Sequence, residues 1–367
     1  MTSIAIQDKP DRDRGRAVRV SGNISGRNNR GRAMKTLPLA LLLLMTALMS
    51  SAEAAGFQSV SIPDPGSAPL QVGIWYPSDA QVPTEANTPF HQALSHDAPV
   101  AGNGLPLIVI SHGKGGWLGG HADTALALAE SGFVVAAVTH TGDNWEDESA
   151  EAWRWMVDRP RHISRVIDYM LSGWRAHARV DARRIGIYGF SAGAYTALVD
   201  IGGVPNIAEV AAHCAATPQE LACRLVTASD LAKLNEAGRS GPIWVHDSRI
   251  KAAVLAAVGL GFAFDAQGLA EVEVPVQLWA AADDRNVPEA ANTDAVRRLL
   301  PVPPEFHRVE KAGHFVFRPP CDPSLEAAEP KIWAMVCVDA PGFDRAAFHR
   351  TLNDEIIAFF RARLGGS

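Results

Sequence analysis

The sequence predicts an α/β fold: a mostly parallel, twisted sheet with helices on both faces, an antiparallel N-terminal hairpin and a small helical insertion. Three observations carry this. Short, continuously apolar runs such as "LPLIVIS" and "FVVAAVT" read as strands buried on both faces. These runs alternate with stretches of helical spacing, the rhythm of parallel strands joined by crossover helices. Upstream of them, "FQSVSIP" and "LQVGIWYP" flank the Pro/Gly turn "DPGSAP", which is a hairpin signal.

In chain order, the hairpin is followed by a Pro-, Asn- and His-bearing loop over 78–104 and the strand "LPLIVISHG". "HADTALALAESG" reads as a helix closed by Gly132, and "FVVAAVTH" as the next strand. "RPRHISRVIDYMLS" places Ile163, Val166, Ile167 and Met170 at helical spacing, with Pro160 expected in the first turn. "RRIGIYGFSAGAYTALVDIGG" is a strand, a sharp turn and a helix. "IKAAVLAAVGL" and "VPVQLWAAAD" follow as buried strands, "EAANTDAVRRLL" as a helix and "EFHRVEKAGH" as a last strand. Residues 344–363 predict a closing helix with Phe348, Leu352, Ile356, Phe359 and Phe360 on one face. The rhythm breaks over 203–248, a polar, helical-looking insertion. It reads either as a cap over the carboxyl ends of the strands or as a decoration away from them.

The N-terminal region differs in character. Residues 1–33 are rich in Arg, Gly and Asn without periodicity, and read as a disordered extension. Residues 34–54 have the parts of a signal peptide. Met34 and Lys35 precede thirteen apolar residues from Leu37 to Met49, and Ala52-Glu53-Ala54 fits a cleavage site. An uncleaved anchor is the rival reading, but a bilayer span needs roughly 20 such residues. Translation is expected to begin at Met34, and the mature form to carry no stable membrane span. Residues 1–54 hold nine Lys/Arg against four Asp/Glu, so the remainder of this −6 chain carries −11. That acidity argues against nucleic acid as a partner.

Four cysteines allow three pairings. The local one, Cys214 with Cys223 and Cys321 with Cys337, closes two short loops and suits an exported protein, periplasmic or secreted. Neither pair has metal-ligand spacing, and no His-x-x-x-His appears, so no metal is expected.

Chemistry concentrates at "YGFSAG". Gly189-x-Ser191-x-Gly193 occurs by chance in about one chain in ten of this length, so its setting must decide. It follows a predicted strand and opens a predicted helix, as a nucleophile elbow requires. A serine hydroxyl is a poor nucleophile at neutral pH and needs a base, itself oriented by a carboxylate. Downstream, "AAADDRNVP" puts Asp283 and Asp284 at a strand's carboxyl end, and "KAGHFVF" offers His314. Asp284 is preferred for its Asp-x-x-x-Pro spacing, with Asp283 as the alternative. Oxyanion donors are expected from the backbone of Ala192, after the nucleophile, and of Lys114 in the early glycine loop "HGKGG". His112 and His140 read as structural, while His162, His213, His246 and His307 lack a supporting context.

Taken together, "SVSIPDPGSAPLQVGIWYP", "VISHGKGG", "GFSAGA", "DDRNVP" and "AGHFVFRPPC" resemble the α/β-hydrolase superfamily. Within it they look like exported dienelactone-hydrolase-like proteins, a group related to platelet-activating-factor acetylhydrolases. The similarity spans residues 57–363, read as one catalytic domain. The resemblance implies a serine esterase with Ser191 as nucleophile, Asp284 as acid and His314 as base, and with Lys114 and Ala192 as oxyanion donors. It implies no cofactor and a small-molecule ester as substrate. Dienelactone hydrolases carry cysteine where this chain has Ser191, which favours simple carboxylic esters. Phospholipid acetyl esters, lactones, thioesters and peptides stay open as substrates, as does a non-catalytic binding protein of the same fold.

Overall fold

Nine strands form one sheet in the computed structural model, which describes residues 54–365. The expected disordered extension and signal peptide lie outside these residues, apart from Ala54. β1 (Ala54–Ile62) and β2 (Leu70–Ser78) make the predicted antiparallel hairpin, with Gly66 at φ 83° in its turn. β2 joins the hairpin to β5 (Val134–Thr139), again antiparallel. A two-residue strand, β3 (Ser95–His96), extends the hairpin edge from within the 78–104 loop.

From β5 onward the sheet is parallel. It runs through β4 (Leu105–Ser111), β6 (Val180–Phe190), β7 (Ile250–Ala256), β8 (Val276–Ala281) and β9 (Glu305–Val309). Alternate side chains of each strand enter two separate cores. Leu107 and Val109 face one and Ile108 and Ile110 the other; on β7, Ala253 and Leu255 oppose Ala252 and Val254. Burial on both faces is why these strands read as unbroken apolar runs.

The first core is roofed by α2 (Ala152–Ser172) and α3 (Ala192–Asp200), the second by α1 (Ala122–Glu130) and the closing helix α10 (Arg345–Leu364). Gly132, at φ 94°, ends α1 as expected. Pro160 does not lie in the first turn of its helix. α2 begins two turns earlier and holds Pro160 in its interior, where the ring is buried. Proline there leaves the carbonyl four residues back without its usual donor. The helix persists because "AWRWMV" supplies Trp155 and Met156 to the core ahead of it.

The 203–248 insertion folds as α4 (Ile207–Ala216), α5 (Leu221–Leu225) and α6 (Ala228–Arg239). α4 and α6 pack Val210 and Leu234 into the first core. Asp230, in the capping box of α6 with Thr227, also accepts the Trp153 backbone N–H of α2 at 3.2 Å. α7 (Thr293–Leu299) follows β8, and α8 (Ser324–Ala328) and α9 (Pro330–Ile332) lie in the segment before α10. Cys214–Cys223 and Cys321–Cys337 are both disulfides, the pairing expected from sequence. Among the described residues, no helix is long and apolar enough to cross a membrane.

Two sets of buried ionisable groups give stability opposite pH dependences. His112, His121, His140 and His162 are all buried, and burial is the first cause holding each below the ordinary imidazole range. For His121 and His162 the value falls to about 3. Their contribution is complete above about pH 6.5 and is lost as pH falls from there through the folded-state values, because the unfolded chain binds protons that the native state refuses. Asp200 runs the other way. It is fully buried, neither carboxylate oxygen has a partner among the described residues, and burial pushes its carboxyl well above the usual range. Stability attached to it therefore falls as pH rises from about 4. Denaturant midpoints should drop between pH 6.5 and 4.5 with a net uptake approaching three protons, about 1.4 kcal/mol per pH unit each; a flat profile there would contradict neutral burial. Above pH 7, Asp200→Asn should remove the remaining decline, about 1.4 kcal/mol per pH unit, because an amide has no carboxyl to ionise in the unfolded chain.

Candidate active site

The loops after β4, β6, β7, β8 and β9 leave the sheet at one end, the carboxyl ends of the strands, and each brings one part of the site. After β6, Ser191 is the only residue between strand and helix. Its φ of 55° and ψ of −117° are rare for a residue with a side chain and cost about 1–3 kcal/mol. The flanking glycines are fixed by sterics. A Cβ on Gly189 would sit 2.2 Å from the Gly193 carbonyl oxygen, and one on Gly193 only 1.9 Å from that of Ser111. The Ser191 N–H donates to Ala256 at 2.9 Å, and its carbonyl accepts from Gly259 at 3.0 Å. Neighbouring strands thus hold the turn from both sides.

His314 follows β9 in a short 3-10 turn and is buried against Phe190, with ring centroids 4.9 Å apart. Its Nε2 lies 3.0 Å from the Ser191 Oγ, and its Nδ1 lies 2.7 Å from Oδ2 of Asp284. Nδ1–H donating to the carboxylate leaves Nε2 free to accept the serine proton. The other Asp284 oxygen accepts backbone N–H groups from Asn286 at 2.9 Å and Val287 at 2.8 Å, which fixes the carboxylate's rotation. Asp283, the alternative, is exposed and takes no part in this line. The Asp-x-x-x-Pro spacing has a physical meaning here: it folds the chain back so that two N–H groups reach one carboxylate oxygen.

Ala192 is the first residue of α3, where backbone N–H groups have no intrahelical acceptor and the helix dipole favours negative charge. Lys114 lines two cavities together with Ser191. Its ammonium is engaged by Asp143 at 3.4 Å and by Glu148, so near Ser191 it has its backbone to offer.

These two small cavities adjoining Ser191 are both walled mainly by apolar surface. One, of about 70 Å³, is walled by Trp155, Leu221, Leu225, Leu260 and Val287. The other, of about 90 Å³, holds His121, Phe315 and Arg318 beside His314. Leu221 lines both, so α5 of the insertion reaches the site. Sequence reasoning missed these wall residues. It also missed Asp143 and Arg159, a buried pair beneath the 112–116 loop. The only available signal was an arginine and an aspartate flanking a run that otherwise reads as helix surface.

The other histidines are placed by their bonds. His112 donates Nδ1–H to Gly113 at 2.6 Å and accepts the His140 N–H at 3.1 Å. His140 lies 2.9 Å from the Ser111 hydroxyl and 3.2 Å from His162, which sits beside Asp64. His162 thus has a context the sequence did not reveal. His213 stacks on Phe262 and bonds Glu220 at 3.0 Å, and His307 stacks on Trp279.

Comparisons with known proteins agree with this architecture. A sequence model of the family platelet-activating factor acetylhydrolase, isoform II, matches residues 76–164, from β2 through the 112–116 loop into α2. No curated protein sequence matches the chain. Among solved structures, a ferulic acid esterase from Streptomyces cinnamoneus is similar with a TM-score of 0.58 at 20% identity, covering 88% of this chain and 93% of the esterase. The fold is that of the α/β-hydrolases.

Proposed function

We propose that the chain is an exported serine esterase that cleaves small-molecule carboxylic esters through an acyl-enzyme. The observation that carries this reading is the unbroken line Asp284–His314–Ser191, with the serine on a strained turn at a helix N-terminus. His314 takes the Ser191 proton as the oxygen attacks the ester carbonyl. Asp284 holds the imidazole tautomer and stabilises the imidazolium. The Lys114 and Ala192 N–H groups receive the oxyanion, each worth roughly 3–4 kcal/mol in comparable enzymes. His314 then protonates the departing alcohol, and water, deprotonated by the same imidazole, releases the acid. No step calls for a cofactor.

The cavity with Trp155 suits a hydrocarbon part of the ester, and the cavity with His121 and Arg318 a polar part. The insertion, through Leu221 and Leu225, acts as a cap that sets their size. Two disulfides and the apolar segment at 37–49 support export to the periplasm or beyond. Acetyl esters of phospholipid type are the second reading, favoured by the family match over 76–164.

A fluorophosphonate probe should label the wild type and leave Ser191→Ala unlabelled, and the variant should keep less than about a thousandth of the esterase activity. Asp284→Asn should cost about 10⁴ in kcat, whereas Asp283→Asn should stay within a factor of about three. Equal losses in the two aspartate variants would sink the assignment. In a series of p-nitrophenyl esters, a sharp preference for acetyl over longer acyl groups selects the second reading.

A further inference from the structure

We infer that Asp143 and Arg159 are positioning residues that set the conformation of the 112–116 loop, and through it the place of the Lys114 backbone N–H; this rests on the esterase reading above. Both side chains are essentially without solvent exposure, and Arg159 Nη1 donates to Asp143 Oδ2 at 2.9 Å. Burying such a pair costs several kcal/mol per ion before attraction offsets it, and apolar residues of equal volume often serve stability as well. Its retention therefore calls for a use that packing does not supply.

That use is visible in where the remaining bonds go. Arg159 Nη2 donates to the His112 carbonyl and reaches the Ser111 hydroxyl at 3.4 Å. Asp143 Oδ1 accepts the Gly115 N–H at 3.2 Å and the Lys114 ammonium at 3.4 Å. Every bond the pair makes outside itself ends on residues 111–115, and Arg159 Nε has no partner among the described residues. The loop needs such a hold. Three of its five residues are glycine, with Gly115 at φ 64°, so left alone it would sample many conformations. The pair grips it at both ends, by the carbonyl of His112 and the N–H of Gly115, with Lys114 between. The oxyanion donor is thereby fixed before substrate arrives, the condition under which a hydrogen bond counts fully in the transition state.

The full-length exported protein tests this with three readouts: kcat and KM on a p-nitrophenyl ester, affinity for phenylboronic acid, which adds to the serine as a tetrahedral anion, and the thermal midpoint. Asp143→Asn keeps the shape and removes the charge. It should lower kcat by about 10²-fold, the scale of a misplaced catalytic group, with KM within about threefold and boronate affinity falling in step with kcat. Arg159→Lys should recover part of the kcat lost in Arg159→Met. Glu148→Gln, which breaks only the exposed bridge to Lys114, should leave kcat unchanged. An Asp143→Asn protein that folds and keeps kcat and boronate affinity within threefold overturns the proposal. So does loss of the folded state in both Asp143→Asn and Arg159→Lys, which would make the pair purely structural. A wild type that neither turns over esters nor reacts with a fluorophosphonate refutes the esterase reading instead.

Discussion

The contact on which the rest of the site depends is backbone against backbone. Gly193, the second residue of α3, lies so close to the end of β4 that a methyl group would overlap the Ser111 carbonyl. That approach requires β4 and β6 to be adjacent, parallel and level, and their register pairs Ser111 with Gly189. It also forces the chain to turn within a single residue, which is why Ser191 takes a positive φ. The strain persists because β7 holds it, through Ala256 and Gly259, at no cost in exposed apolar surface. A residue in such a position is over-determined by its surroundings. Its backbone cannot relax away from His314 without breaking the contacts to Ala256 and Gly259.

Once Ser191 is fixed, the order of the sheet dictates where its partners come from. Proceeding outward from β6, the successive strands β7, β8 and β9 supply the brace, the carboxylate and the imidazole. Each partner stands on a short loop anchored to its own strand. Asp284 is locked by the turn after β8 and His314 by packing on Phe190, so neither depends on a long mobile segment. On the other side of β6, β4 and β5 contribute the glycine loop and the buried histidines behind it. The residues that could do chemistry are thus gathered at one end of the sheet.

Much of this was legible in the sequence, for definite reasons. Strands buried on both faces announce themselves as unbroken apolar runs, and Gly189 is demanded by sterics that act within five residues. Gly193 is demanded instead by the distant Ser111 carbonyl and was legible only through the motif. Asp284 could be preferred to Asp283 because the turn that orients it is local, three residues long. What stayed hidden is of two kinds. The α2 helix reaches past Pro160 because tertiary packing of Trp155 and Met156 outweighs a local breaker, and no local signal reports that. The other kind is the buried polar pair. "DRPRH" looks like solvated helix surface, since arginine is seldom buried unless paired, and the partner of Arg159 lies sixteen residues away on another element.

The division between what could be read and what could not also separates chemistry from selectivity. Ser191, Asp284 and His314 sit on short connections just beyond strand ends, held by the sheet and by their own hydrogen bonds. The walls of the cavity with Trp155 come instead from α2, from the loops after β7 and β8, and from α5 of the insertion. The cavity beside His314 is walled mainly by residues 112–121 and 314–318, with Leu221 of α5. α5 is joined to α4 by the Cys214–Cys223 bond and is seated on α2 through the Asp230 contact made by α6. Leu221 can therefore be exchanged without disturbing the sheet, whereas Gly193 cannot. On the proposed esterase reading, altering the insertion would change which esters fit while the Asp284–His314–Ser191 line stays in place. The buried Arg159–Asp143 pair stands between the two regimes: α2 carries both Arg159, which grips the glycine loop, and Trp155, which lines a cavity beside Ser191, so a shift of this one helix would alter selectivity and oxyanion geometry together.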